Sequence, residues 1–227
     1  MQIKKYLQGT FIHGLVAVLF IALLPFSSAS QESDFGNWLI YIGSKKMNEK
    51  WNLHHEVQYR NYNAIGDLEQ LLLRTGIGYQ LTDNSNLLLG YGFIRSENYT
   101  NGSDEKIVVD EHRIFQQFIT KAKLGSLGLQ HRYRFEQRFV SEDFRLRFRY
   151  FLGLSIPLKF KENEKFYVSG YNEIFLNTDG VIFDRNRVYA GLGHRINKSL
   201  RLELGYMTQL FTTGQRDQLN LILFGSF

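Results

Sequence analysis

Between residues 127 and 156 the chain alternates, one residue at a time, between apolar and charged over two long segments. Leu127, Leu129, His131, Tyr133, Phe135, Gln137 and Phe139 share one parity, and Gly128, Gln130, Arg132, Arg134, Glu136 and Arg138 the other. Phe144, Leu146, Phe148, Tyr150, Leu152, Leu154 and Ile156 then alternate with Arg145, Arg147, Arg149, Phe151, Gly153 and Ser155. Side chains two apart lie on the same side of a β-strand, so each segment has one greasy face and one charged face. Segments 51–62 and 200–211 repeat the pattern. A soluble sandwich also alternates, but these apolar faces run five to seven positions, the length of a tilted strand crossing a bilayer. Open strands of this kind would pair through their edges and aggregate. Closing them into a barrel, with lipid outside and polar groups inside, satisfies both faces and all backbone groups. A soluble eight-stranded ligand-binding barrel is the architectural alternative. It would need the reverse arrangement, polar outside and apolar inside.

Strand-like segments recur along the chain near 37–46, 51–62, 69–81, 86–98, 109–123, 127–139, 144–157, 166–176, 186–196, 200–211 and 218–227. Turn residues separate them, among them Thr82–Asn86, Asn101–Asp104, Gly125-Ser126, Asn177–Gly180 and Asn197–Ser199. Eleven segments sit awkwardly with the even strand count of single-chain bacterial barrels, which leaves ten or twelve open. Segments 109–123 and 166–176 alternate poorly, and a bulge near Gln116-Gln117 would shift the face. Trp38, Trp51, Tyr79, Phe139, Tyr150 and Phe160 are placed to form aromatic girdles at the membrane interfaces. The fold expected is all-β: a transmembrane, antiparallel, up-and-down barrel of 10–12 strands after a cleaved signal peptide.

Both chain ends agree with export to an outer membrane. Lys4 and Lys5 precede the apolar run Leu15–Phe26, and small residues follow at Ser27–Ser30. That is a secretory signal peptide, so the expected division is 1–30 leader and 31–227 barrel. At the other end Leu219, Leu221, Leu223, Gly225 and Phe227 share one face of a strand that stops on a C-terminal Phe. Leu219, Leu221, Leu223 and Phe227 are the expected membrane-insertion signal, read by periplasmic chaperones and the barrel-assembly machinery. The chain has no Cys, which excludes a disulfide framework and a lipidated Cys anchor. Its basic excess is five, two of which lie in the leader, and the arginines sit at strand spacing rather than in a basic run. Nucleic acid is therefore not an expected partner.

The inward parity collects small and charged residues together. Gly76, Gly78, Gly90, Gly92, Gly128, Gly153, Gly191, Gly193 and Gly205 fall there. So do Arg60, Arg74, Arg132, Arg134, Arg138, Arg145, Arg147, Arg149, Arg187 and Arg201, with Glu56, Glu136 and Glu203 as partners. Small beside large lets long side chains fill a narrow barrel. Guanidinium groups in a confined lumen need carboxylates. Two readings follow: an ionic core that holds the barrel shape, or a narrow Arg-lined path for an anionic solute. The chemistry of catalysis or metal binding is thin. His54 and His55 point to opposite faces, and His112, His131 and His194 have no ligand spacing. No metal or cofactor is expected, and the chain is not expected to be an enzyme. A lipid-modifying enzyme would place Ser and His, such as His131, on the lipid face. Glu111-His112-Arg113 and Asp184-Arg185-Asn186-Arg187 read as charge pairing at a rim.

A family resemblance runs through these same residues. Asn37-Trp38, then Trp51-x-Leu53-x-x-Glu56-x-x-x-Arg60, resembles the start of an uncharacterised family of bacterial outer-membrane proteins, domain of unknown function 2490. Arg74–Tyr79, Gly90-Tyr91-Gly92, Arg132-x-Arg134-x-Glu136-x-Arg138, Arg147-x-Arg149-Tyr150, Tyr171-Asn172-Glu173-x-Phe175 and Leu204-Gly205-Tyr206 continue it in order. The resemblance covers nearly all of 31–227. It implies an outer-membrane barrel and brings no assigned activity, cofactor or catalytic residue. A monomer in outer-membrane lipid is expected.

Overall fold

The computed structural model describes residues 36–63, 66–100, 103–160 and 163–227, so the segment 1–30 expected to be a signal peptide lies outside the described residues. Eleven strands form: β1 (Gly36–Lys46), β2 (Trp51–Asn61), β3 (Leu68–Thr82), β4 (Ser85–Tyr99), β5 (Lys106–Leu124), β6 (Leu127–Val140), β7 (Asp143–Phe160), β8 (Asn163–Asn177), β9 (Phe183–Arg195), β10 (Leu200–Phe211) and β11 (Gly214–Ser226). Each strand pairs with its neighbour in sequence, and β11 returns to β1 to close a barrel. All eleven segments read from the sequence are wall strands. The odd count has a direct geometric consequence. Every hairpin reverses direction, so β1 and β11 run the same way, and the closing pair is parallel, from Gly36↔Gln218 to Ser44↔Ser226. The expected barrel was antiparallel throughout, whereas this seam is not. It also puts the start of β1 at the end of the barrel that carries the connections at 62–67, 100–105, 141–142, 178–182 and 212–213. The C-terminus lies at the opposite end, with the connections at 47–50, 83–84, 125–126 and 196–199.

The stagger can be read from the register. From Ile40, hydrogen-bonded neighbours through β2 to β6 lead to Asp143 of β7. The path through β11 to β8 leads instead to Pro157, fourteen residues further along the same strand. That shear on eleven strands sets a steep tilt, roughly 40–45°. Eleven strands enclose more space than the eight that side chains just fill, and less than the sixteen of an open porin. Long side chains are therefore required to occupy the lumen.

Glycine makes room for them. An added Cβ at Gly90 would come within 2.7 Å of the Phe115 ring, and one at Gly205 within 2.5 Å of the Tyr189 ring. In each case a lumen aromatic lies flat over a glycine of the next strand. At these positions the Gly-rich parity of the sequence marks where rings cross the interior. β5 shows why no bulge is needed at Gln116-Gln117: its register with β4 and β6 runs unbroken there. Phe115 and Gln117 face inward, and Gln116 simply faces out, exchanging amide hydrogen bonds with Gln137 at 3.1 and 3.4 Å.

The lumen is not uniform. Against the seam it is apolar, with Trp38, Ile40, Tyr189, Met207 and Ile222 in one buried cluster flanked by Ile42, Tyr171 and Phe224. Parallel pairing is the weaker kind per residue, and this cluster backs it. Trp38 therefore does not join an interfacial girdle: it shares the inward parity of Ile40 and is 2% exposed. Met207 is fully buried, with the Tyr171 hydroxyl 3.2 Å from its sulfur. Met207→Ala is expected to cost about 2–5 kcal/mol through lost burial and the cavity left behind. The heat-unfolding midpoint in detergent measures this, and an unchanged midpoint would mean the seam cluster is not closely packed.

Outside, the wall is apolar nearly all round. Leu39, Val57, Leu73, Ile77, Leu87, Leu89, Ile114, Tyr133, Phe148, Leu192, Leu204, Leu219 and Leu221 are all exposed there. Soluble monomers rarely leave contiguous apolar patches beyond a few hundred Å² uncovered. No helix of the described residues is long and apolar enough to cross a membrane.

Candidate functional site

The strands place the charged side chains on the lumen side of β2 to β10, and burial there is deep. Arg60, Arg74, Arg113, Arg134, Arg147, Arg149 and Arg187 are buried, together with Glu56, Glu111, Glu136, Glu173 and Glu203. Glu136 is the hub. Its side chain has no exposure and meets Arg147 at 2.6 Å, Arg149 at 2.7 Å and Arg134 at 3.6 Å. Alternation along β6 and β7 produces this, because Glu136 and Arg147 are direct cross-strand partners and Arg134 faces Arg149. Glu173 on β8 is a second hub, with Arg132 at 2.6 Å, Arg149 at 2.7 Å and Arg187 at the 4.0 Å limit. Arg149 bridges the two carboxylates. Glu56 binds Arg74 at 2.6 Å and also accepts from Gln58 and His54. Glu111 holds Arg113 and, at 2.6 Å, Arg138. Asp184 reaches Arg147 at 3.1 Å.

Aromatic rings support the guanidiniums between these hubs. Phe175 lies under Arg149, Arg187 and Arg147, with guanidinium carbons 4.3, 4.6 and 5.3 Å from the ring centre. Phe115 lies under Arg134 at 4.6 Å and Phe151 under Arg132 at 4.5 Å. Such stacking recovers part of the cost of removing a cation from water. Near the opposite end Glu203 has a different setting. It accepts from the hydroxyls of Tyr167 at 2.7 Å, Ser169 at 2.8 Å and Tyr189 at 3.3 Å.

Two arginines predicted for the lumen sit at its rims. Arg145 is exposed and pairs with Asp143 at 2.6 Å. Arg201 is exposed and packs its guanidinium 4.0 Å from the Phe224 ring centre. Arg132 and Arg138 are partly buried. The remaining predicted residues, Glu56, Arg60, Arg74, Arg134, Glu136, Arg147, Arg149, Arg187 and Glu203, are interior. Sequence reasoning missed Glu173, Glu111 and Arg113, placing the last two at a rim. Their inward parity with Phe115 and Gln117 was the available signal. Leu219, Leu221 and Leu223 face outward on β11. Phe227 extends the seam: its N–H donates to Ser44 at 2.9 Å and its carbonyl accepts from Lys46 at 2.6 Å.

At the end of the barrel where β1 begins, Asp67 accepts from Lys106 at 2.5 Å and from the Tyr99 hydroxyl at 2.8 Å. Its slight burial pushes the carboxyl up, but these two donors outweigh that and hold it below the usual carboxylate range. Tyr62 and Tyr99 pack beside each other, with the Lys106 ammonium over both rings. Among the described residues no three His, Asp or Glu side chains come together in a way that could hold a metal ion.

The wall that builds this lumen coincides with a known sequence family. A family described as protein of unknown function (DUF2490) matches residues 35–220, from the approach to β1 into β11. An uncharacterised protein of Methylorubrum extorquens is 30% identical over 167 residues, which cover 70% of this chain and 71% of that protein. No solved structure matches. Because that family model spans nearly the whole wall, from before β1 into β11, the chain belongs to the DUF2490 family.

Proposed function

We propose that this chain is an outer-membrane β-barrel, exported by its N-terminal signal peptide, whose lumen is closed by the Arg/Glu core and which acts through its loops. One observation carries the reading: the wall is apolar and exposed outside while its arginines and glutamates are buried inside. That inversion suits lipid around the barrel and is unfavourable in water. In this reading outer-membrane lipid surrounds a monomer, and chaperones and the assembly machinery are partners only during biogenesis. The chain has no catalytic task. His131 faces outward but is engaged by the Tyr150 hydroxyl at 2.8 Å, an interfacial pair rather than a nucleophile and base.

The excess of buried arginine over glutamate supports a second reading, a narrow pore that prefers anions. Current across a planar lipid bilayer separates the two. The mature protein, refolded in detergent and inserted, is expected to be silent. Arg147→Ala with Arg149→Ala should then lower the unfolding midpoint and open no anion-selective current. Discrete anion-selective steps from the wild type, altered in that double variant, would replace the closed barrel with the pore.

A further inference from the structure

The charge inside the barrel does not balance, and the imbalance is local. Glu136 and Glu173 between them serve Arg132, Arg134, Arg147, Arg149 and Arg187, and Arg187 has the longest of these contacts. Arg60 has no carboxylate within salt-bridge distance among the described residues. It donates only to neutral amides, Gln58 at 2.5 and 3.1 Å and Gln70 at 2.5 Å. Arg60 and Arg187 nevertheless converge on one ring. Their guanidinium carbons stand 3.6 and 4.9 Å from the centre of Trp38, so the two cations are separated by at most the sum of those distances. Arg60 feels the charge of Glu69 without pairing with it, and Arg187 has Glu173 at 4.0 Å, so both buried guanidiniums are weakly compensated and repel each other at such range.

Unused hydrogen-bond donors lie on Trp38 itself and on the facing part of β11. The Trp38 indole Nε1 is buried without a partner. Gln218 is fully buried, and its Nε2 is also unpartnered, while its oxygen accepts from Gln209 at 3.1 Å. Gln209 in turn accepts from Arg187 at 2.8 Å, so the amides are turned to support the arginine. Asn220, directly across the seam from Trp38, leaves its side-chain oxygen unpartnered and would offer a donor if its amide were turned. Buried donors are normally satisfied, and a group of them beside weakly compensated cations is the chemistry of an oxyanion site.

We propose that the lumen holds a small oxyanion, a phosphate or carboxylate group, at Trp38 between Arg60 and Arg187, with Gln218 as a further donor. The ion is a resident counter-charge of the lumen arginines. The inference rests on the lumen alone and does not need the barrel to be silent in a bilayer, so current recordings and binding can fail separately.

The test titrates the refolded mature protein in detergent with inorganic phosphate, and separately with acetate, at constant ionic strength made up with chloride. The wild type should show saturable heat in a calorimetric titration with at least one of the two. Its unfolding midpoint should rise by roughly 5 °C at saturation. Arg60→Gln with Arg187→Gln should lose the response. In chloride alone it should unfold at or above the wild-type midpoint, because the repulsion is gone. Arg145→Gln, at the rim, should keep the full response. Phosphate identifies a phosphate site, and acetate alone a carboxylate site. No heat and no midpoint shift from either ion in the wild type would overturn the proposal. So would an unchanged response in the Arg60/Arg187 variant. If that variant does not fold, the wild-type titration still decides.

Discussion

Glu136→Gln should lower the stability of the folded barrel by about 3–5 kcal/mol, the cost of leaving buried cations without their carboxylate. Gln keeps the size of Glu136 and one acceptor oxygen, so the loss reads charge rather than volume. Three guanidiniums depend on this carboxylate, two of them within 2.7 Å. Only Arg149 has a second carboxylate as near, Glu173 at 2.7 Å. Arg147 would keep Asp184 at 3.1 Å, and Arg134 would keep the neutral Gln117 oxygen. Asp143→Asn, which breaks the exposed rim pair with Arg145, should by contrast change stability by no more than about 1 kcal/mol. Urea unfolding of both variants in the same detergent gives the comparison. Equal, small losses would mean that water reaches Glu136 and that the lumen is not a closed ionic core.

On the proposed outer-membrane reading, removing Phe227 should abolish assembly into the membrane. This one residue has two separable roles. Its backbone closes the last hydrogen bonds of the parallel seam, to Ser44 and from Lys46. Its ring lies on the outward parity of Leu219, Leu221 and Leu223, where the assembly machinery is proposed to read it. Phe227→Ala retains the backbone bonds and loses only the ring. In cells both variants should fail to reach a heat-modifiable, membrane-assembled form. In detergent Phe227→Ala should refold near the wild-type yield, whereas the deletion should lose yield because the seam is shortened. Normal soluble secretion of the deletion variant would sink the outer-membrane reading altogether.

The seam illustrates what alternation could and could not show. Parity alone assigned inside and outside for most strands, because one face must avoid what the other seeks. The eleven segments were visible for the same reason, and only the habit of even strand numbers argued against them. Which strands meet across the closure is not a local property. The parallel pairing of β1 with β11 follows from the count, and its partners from a fourteen-residue stagger accumulated around the whole wall. Trp38 was misplaced for a related reason. An aromatic near a strand start suits an interface, and only the closed barrel turns that parity toward Arg60 and Arg187.

By itself the sequence determined the fold class, the two faces of the wall and the glycine-rich interior, since these rest on period-two patterning along single strands; the family rests instead on short motifs that recur in order. Tertiary structure alone decided how the charges are shared. Glu136 and Glu173 lie on β6 and β8, and Arg149 between them on β7 joins their networks only because three strands tilt the same side chains to one level. The same closure leaves Arg60 with no carboxylate at salt-bridge distance among the described residues. Coulomb energy depends on distances across the lumen, which no spacing along the chain records.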